Sequence, residues 1–262
     1  SNNGETIHTA NTRYCAIYNV CNIDTGQQAR IKMPTTGTLK KFTVYSPTAP
    51  DTGAGTQSHT HTITVRPDLS TISDTSVVVT ISEAETIDSD NTNTKAITLG
   101  DSYAAKIVPS GTPTASPIGY GLVMTVATEG EFVVPTFGGF NTTTNVYCDF
   151  HGNCGTTEST RQSLSGDFTW KSIIAETIAA PTSPGTFVLT LRQNSTTDTA
   201  LTVTLSNTDY SEQLTTDVAA VALDQWAVKS VPASAPGNQN GIVSMLGYIA
   251  PPSGDRRIIM VN

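Results

Sequence analysis

Polar and apolar residues alternate in two stretches of this chain that begin 124 positions apart. Residues 74–82 read Asp-Thr-Ser-Val-Val-Val-Thr-Ile-Ser, and residues 198–206 read Asp-Thr-Ala-Leu-Thr-Val-Thr-Leu-Ser. Thr and Ser that alternate with Val, Ile and Leu indicate a β-strand with one buried face. The recurrence of one strand at a long interval indicates a tandem duplication.

Further short stretches of the same kind fill residues 11–128. Turns rich in Pro and Gly separate them, and they lack the helical period of about 3.6 residues. The clearest stretches are residues 38–45, 59–66, 74–82, 94–99, 102–108 and 120–127. Many short strands with turn signals between them predict an antiparallel sandwich or jelly roll.

The second half of the chain repeats the first half. Residues 147–154 match residues 14–21, and residues 224–232 match residues 101–109. We therefore predict an all-β fold with two tandem antiparallel β-sandwich domains of the jelly-roll type. The strand residues and the Gly and Pro of the turns are shared, whereas the loops diverge, so any specificity is expected in the loops.

The domain boundaries follow from this match. We predict an N-terminal arm at residues 1–10, a first sandwich at 11–128, a linker at 129–140, a second sandwich at 141–250 and a C-terminal tail at 251–262. The linker is predicted because Gly and Pro alternate there with three Phe residues.

The composition narrows the classes of function. The chain has 45 Thr among 262 residues and a formal net charge of −8. Thr is β-branched and suits solvent-facing strand positions without adding charge. The negative charge argues against binding to a nucleic-acid backbone. No apolar run approaches the roughly 20 residues of a membrane span, so we expect no membrane partner.

Four cysteines form two pairs with the same spacing. Cys15 and Cys21 match Cys148 and Cys154, with five residues between the members of each pair. A local disulfide in each repeat would fix the first strand and its turn. Free thiols in a reducing compartment are the alternative, and a four-cysteine zinc site fits the spacing poorly.

The C-terminal tail carries a candidate strand with no partner in its own repeat. Its residues are Arg256, Arg257, Ile258, Ile259, Met260 and Val261. An apolar run of this kind is able to complete the sheet of a neighbouring subunit. The N-terminal arm is the second candidate for contacts between subunits.

Two histidines two positions apart raise the question of a metal site. His59 and His61 lie on one face of a predicted strand, but a solvated strand face is the better interpretation. An alignment anchored on the arginines near the ends of both strands puts Gly185 opposite His59 and Phe187 opposite His61. The second repeat therefore needs no metal there.

An acidic segment and several aromatic residues are further candidates. A calcium ion among Glu83, Glu85, Asp88 and Asp90 fits no ligand spacing, so residues 83–93 are predicted to be a solvated loop or edge. The candidates for sugar stacking are Trp170, Trp226, Tyr103 and Tyr120. The match of Trp226 with Tyr103 favours core packing for that pair.

No catalytic motif stands out in the sequence. It has no Gly-x-Ser-x-Gly, no phosphate loop, and no Ser/His/Asp arrangement with a supporting turn. We therefore expect a protein that is not an enzyme and has no cofactor. Paired carboxylates for glycoside cleavage stay open, because such residues meet only in the folded protein.

The second half resembles a domain found in structural proteins of tailed phages. The residues that carry the resemblance are 157–162, 166–174 and 184–206, and the ends of the late strands, 106–109 and 229–232, are similar in both halves. The resemblance implies a virion surface component, such as a capsid decoration (cement) protein or a fibre, often trimeric. The lack of a coiled-coil or collagen-like shaft favours a compact decoration protein.

We therefore expect a non-enzymatic virion protein at the particle surface. Its partners would be the major capsid protein or other virion proteins, and it would form a homotrimer. The alternative is a receptor- or carbohydrate-binding fibre or adhesin module, whose partner would be a glycan or a host receptor.

Overall fold

A computed structural model describes residues 10–16, 21–22, 30–51, 56–68, 71–150, 152–158, 161–207 and 209–250. The regular secondary structure in this part of the chain consists of β-strands, which pair in antiparallel fashion. The chain divides into two compact units, Ser1–Thr125 and Val126–Asn262. The all-β, sandwich-type fold class predicted from the sequence is therefore confirmed.

The first unit contains nine described strands in two sheets. They are β1 (Arg13–Cys15), β2 (Cys21–Asn22), β3 (Ile31–Lys32), β4 (Gly37–Tyr45), β5 (Ser58–Arg66), β6 (Ser73–Ser82), β7 (Ile87–Ile97), β8 (Ser102–Ser110) and β9 (Gly119–Val126). One sheet has the order β2-β1-β8-β5-β6, with β3 also paired to β8, and the other has the order β7-β4-β9.

The second unit contains ten described strands. They are β10 (Glu131–Phe140), β11 (Val146–Cys148), β12 (Cys154–Gly155), β13 (Gln162–Ser163), β14 (Phe168–Thr177), β15 (Thr186–Gln193), β16 (Thr197–Leu205), β17 (Ser211–Ala220), β18 (Gln225–Ala233) and β19 (Gln239–Tyr248). One sheet has the order β12-β11-β18-β15-β16, with β13 also paired to β18, and the other has the order β10-β19-β14-β17.

The two units share one topology. The first sheets correspond strand for strand, from β2 and β12 at one edge to β6 and β16 at the other. In the second sheets β7, β4 and β9 correspond to β17, β14 and β19. The difference within the described part of the chain is β10, which adds a fourth strand next to β19. The duplicated sequence therefore folds into a duplicated structure with one added strand.

The predicted linker at residues 129–140 is wrong, because β10 occupies most of it. β10 pairs with β19 without a register shift, from Glu131 opposite Tyr248 to Phe140 opposite Gln239. Pro135 is tolerated because β10 is an edge strand, where a missing N–H is harmless. Gly and Pro in this segment thus belong to an edge strand, although the same residues are typical of loops.

Phenylalanines of β10 cover glycines of β19. A Cβ atom on Gly247 would lie 2.2 Å from the ring of Phe132, and one on Gly241 would lie 2.3 Å from the ring of Phe140. These glycines leave room for the two rings. The close fit shows that β10 is an integral part of the second unit.

Each unit has its own hydrophobic core. In the second unit the rings of Trp170 and Trp226 lie 5.7 Å apart, and the ring of Phe168 is 4.9 Å from that of Trp170. In the first unit Phe42 and Tyr103 are buried between the sheets. The core packing predicted for Trp226 and Tyr103 is confirmed, and the burial of Trp170 excludes all three from a sugar-stacking surface.

The repeated Asp-Thr sequence stabilises a β-bulge in each unit. The register shifts at Ile63 between β5 and β6, and at Leu191 between β15 and β16. The hydroxyl of Thr75 donates to the carbonyl of Ile63 at 2.7 Å, and that of Thr199 donates to the carbonyl of Leu191 at 2.7 Å. In each unit three residues of the partner strand, 75–77 on β6 and 199–201 on β16, lie opposite that single residue. The bulge interrupts the regular ladder there, and the Thr hydroxyl supplies the donor to the carbonyl.

The aspartates before these threonines form matching ion pairs. Lys106 on β8 contacts Asp74 on β6 at 2.6 Å, and Lys229 on β18 contacts Asp198 on β16 at 2.8 Å. Such partly exposed pairs contribute little to the free energy of folding. They do fix the relative positions of three neighbouring strands in both units.

The acidic segment at residues 83–93 forms a turn and the first part of the edge strand β7. Asp90 turns inward, and its carboxylate accepts hydrogen bonds from the backbone N–H groups of Val78, Thr92 and Asn93. Burial raises the pKa of Asp90, but the hydrogen bonds from Asn93 and Val78 outweigh it and lower the pKa to about 2. This carboxylate therefore has a structural role.

Candidate functional site

The two histidines of the first unit lie in its interior. His59 and His61 on β5 are both 0% exposed, and their rings are 6.3 Å apart. The Nδ1 atom of His61 lies 3.2 Å from the hydroxyl oxygen of Tyr120 on β9. Both ring nitrogens of His59 and Nε2 of His61 are buried without a hydrogen-bond partner among the residues that the structure describes. The predicted solvated face is therefore wrong.

Burial keeps both histidines neutral. It lowers the pKa of His59 from 6.5 to about 4. Burial, together with the charge of neighbouring His59, lowers the pKa of His61 to about 3. A charged imidazole would lose its hydration and gain no partner in this position. The pair is thus an uncharged part of the interior at neutral pH.

The strand pairings show which residues of the second unit are equivalent to these histidines, and they differ from the residues that the sequence alignment assigned. His59 pairs with Ile81 and Pro109, and Phe187 makes the same two pairings with Leu205 and Pro232. By the same comparison Leu189 corresponds to His61. The alignment anchored on the arginines was therefore wrong by two residues.

The histidine pair lacks a third metal ligand in the described part of the chain. No group of three or more His, Cys, Asp or Glu residues suited to a metal ion occurs among these residues. The acidic candidates do not meet either, since the carboxylate of Asp90 is occupied by N–H donors and Glu85 caps its own turn through Ser82. The geometry therefore does not favour a metal centre in this region.

The cysteines fix the first hairpin of each unit. Cys148 and Cys154 are joined by a disulfide bond across β11 and β12. Cys15 is also disulfide-bonded, and its backbone pairs with that of Cys21. In the second unit the disulfide packs on Gly138 of β10, where a Cβ atom would lie 2.5 Å from Cys154 Sγ and 2.6 Å from Cys148 Sγ.

An open cleft of about 430 Å³ lies beside this disulfide in the second unit. Its polar lining includes the amide side chains of Asn141, Asn238, Gln239 and Asn240, and the lining residues are all uncharged. Phe140 contributes an apolar wall. The volume falls within the range typical of small-ligand sites.

The cleft has one residue whose role is structural. Asn238 Oδ1 accepts a hydrogen bond from the N–H of Thr142, and so holds the loop after β10. The cleft is not among the sites predicted from the sequence. The signal that was available is the run of three amide side chains at residues 238–240.

A charged cluster on the second unit makes several structural contacts. Arg192 donates to Glu158 at 3.0 Å and to Asp198 at 2.5 Å, and it lies over the ring of Tyr147 at 5.8 Å. Burial raises the pKa of Asp198, but hydrogen bonds from Lys229 and Arg192 outweigh this effect, so that the pKa lies below its ordinary value. These groups stabilise charge on each other and connect the segment before β13 to β15, β16 and β18.

The predicted inter-subunit elements lie outside the described residues. These are the tail residues 256–261 and the arm up to residue 9. No helix among the described residues has the length and apolar character needed to cross a membrane.

No family model matches this sequence, and a search of curated proteins also finds no match.

Proposed function

We propose that this protein is a non-enzymatic structural component of a virus particle, most specifically a capsid decoration (cement) protein of a tailed phage. It binds the major capsid protein or other virion proteins at the particle surface, as a homotrimer. It stabilises the shell through the area that these contacts bury.

The observation that supports this proposal is what the duplication retained. Both units keep the same sheet order, the Thr hydroxyl at the bulge and the Asp–Lys pair, all of which are structural. The buried ionisable pair of the first unit corresponds to Phe187 and Leu189 in the second. Retention of scaffold and loss of ionisable groups suit a protein whose task is contact between surfaces.

Binding to shells tests the proposal directly. The purified protein is mixed with empty shells assembled from the major capsid protein of the same virus, and the mixture is sedimented. We expect the protein to pellet with the shells at saturable stoichiometry and to raise their temperature of disassembly. Failure to pellet with intact shells, at protein concentrations where it is trimeric, contradicts the decoration role.

A receptor- or carbohydrate-binding role is the second candidate, and the cleft of the second unit favours it. Amide groups donate and accept hydrogen bonds, as sugar hydroxyls do, and the lining carries no charge to select an ionic ligand. The described cleft residues include no exposed aromatic ring for stacking, so this candidate has less support.

A glycan array separates the two candidates. A binding module gives consistent signals that decrease in the Asn240→Ala variant and persist in Asn207→Ala, a matched loss of an exposed amide outside the cleft. If the protein is a decoration protein, neither the unchanged protein nor either variant gives a consistent signal on the array.

A further inference from the structure

Among the described residues, the first unit has an open sheet edge, whereas the corresponding edge within the second unit is covered by a further strand. In the second unit β19 lies between β14 and β10. In the first unit the corresponding strand β9 has β4 on one side and no neighbour on the other among the described residues. An open strand edge presents unpaired N–H and C=O groups that are able to pair with another strand.

β9 also lacks the features that protect other edges. Its sequence, residues 119–126, contains no charged residue and no proline, and Val123 on it is 42% exposed. Natural edge strands usually carry charges or proline, which prevent unwanted pairing. The other long edge strands of this protein carry such residues: Asp74 on β6, Asp88 on β7, Glu131 on β10, Asp198 on β16 and Glu212 on β17. β9 is the exception, which indicates that another strand covers its edge in the assembled protein.

In the second unit the corresponding edge, that of β19, is covered by β10. β10 follows the last strand of the first unit after four residues, 127–130. It pairs with β19, the last strand of the next unit. The segment that trails one unit thus completes the sheet of the unit that follows.

The C-terminal tail holds the same place after the second unit. β19 ends at Tyr248, and four residues again separate it from Ser253. Residues 253–262 contain three consecutive charged residues, 255–257, and then four consecutive apolar residues, 258–261. The apolar residues suit contact with a sheet, and the charges would protect the new edge.

We propose that residues 253–262 of one copy pair, antiparallel, with the open edge of β9 in a second copy. The copies then join head to tail, each giving one strand and receiving one. Such heterologous contacts close into a ring when the rotation permits, as in a trimer, and otherwise extend. The proposal concerns self-association and does not rest on a virus-particle function.

The N-terminal arm is the competing occupant of this edge. Residues 1–9 precede β1 as β10 precedes β11, but they contain one large apolar residue, Ile7. The tail offers four, and therefore removes more apolar surface from water when it pairs. The experiment includes both segments, so that it decides between them.

Hydrogen exchange of the β9 amides, measured together with sedimentation, tests the proposal. The full-length protein is compared with deletions of residues 253–262 and of residues 1–9. We expect the full-length protein to associate, with β9 exchange that slows as concentration rises. Deletion of residues 253–262 should give a monomer with rapid β9 exchange. A synthetic peptide of residues 251–262, at ten times its dissociation constant, should then slow that exchange by about tenfold.

Internal controls distinguish loss of pairing from loss of folding. β19 is covered by β10 of its own chain, so its amides should stay protected in all three proteins. A peptide with the same composition in scrambled order should have no effect on β9.

Three results would overturn the proposal. The first is unchanged association and unchanged β9 exchange after deletion of residues 253–262. The second is loss of β9 protection on deletion of residues 1–9 alone, which would identify the arm as the occupant. The third is tail-dependent protection of β9 in a protein that stays monomeric, which would show that the tail pairs within its own chain.

Discussion

Acid should destabilise the first unit through His59 and His61. Both have pKa values in the folded protein, about 4 and about 3, that lie below the ordinary value of 6.5. Between pH 6.5 and these values the unfolded chain binds protons that the folded chain does not. The histidines therefore leave stability intact above pH 6.5 and reduce it progressively as the pH falls below that value.

The size of the effect follows from the two pKa values. Each histidine removes about 1.36 kcal/mol of unfolding free energy per pH unit while its folded form stays neutral. At pH 4.5 both folded pKa values are still below the solution pH, so each histidine removes about 2–3 kcal/mol and the pair about 5 kcal/mol. That is a large fraction of the stability of an ordinary domain.

The comparison variant carries the residues that the second unit has at these positions. His59→Phe with His61→Leu removes both titrating groups and keeps the site apolar. Urea unfolding of both proteins between pH 8 and pH 4.5 gives the free energy of unfolding at each pH. Carboxylates titrate alike in both, so the difference in pH slope belongs to the histidines. Equal slopes for the two proteins below pH 6.5 would refute the reasoning.

Three further substitutions test the structural contacts. Thr75→Val should lower the free energy of unfolding by about 1–2 kcal/mol in urea titrations, whereas Thr75→Ser, which keeps the hydroxyl at the bulge, should lower it less. Asp90→Ala should lower it by about 2–3 kcal/mol, since several N–H donors lose a charged acceptor; a loss below 0.5 kcal/mol would contradict the structural role. Gly138→Ala should lower the melting temperature, because the added methyl group meets the disulfide of Cys148, and the penalty should shrink when Cys148 and Cys154 are both changed to Ala.

Alternation of polar and apolar residues was sufficient to predict the fold class. The strand at residues 74–82 and its copy lie in the same place in both units, because burial of one face requires the period of two that the sequence shows. The linker prediction failed for a physical reason. Pro135 and Gly138 are tolerated in a strand only because the strand lies at an edge and packs on a disulfide, and neither condition is visible in the sequence.

The histidine alignment failed because the two arginines that anchored it are not equivalent. On β15 Arg192 pairs with Ala227 of β18, and the matching pair of the first unit is Thr64 with Ala104. Arg66 lies two residues farther along β5, so the anchor displaces the whole strand by two residues. The cleft of the second unit was missed because its amide residues come together from two distant segments, around residues 141 and 239. Only the folded chain brings these segments together.

The position of β10 has a consequence for synthesis on the ribosome. β10 is made right after the first unit, but its partner β19 begins at Gln239, roughly one hundred residues later. At about 5–20 residues per second, the apolar strand waits for about 5–20 s before its partner is made. During that time its Phe and Val side chains are exposed to chaperones and to other nascent chains. The second unit is therefore able to complete this sheet only after the residues of β19 have been made.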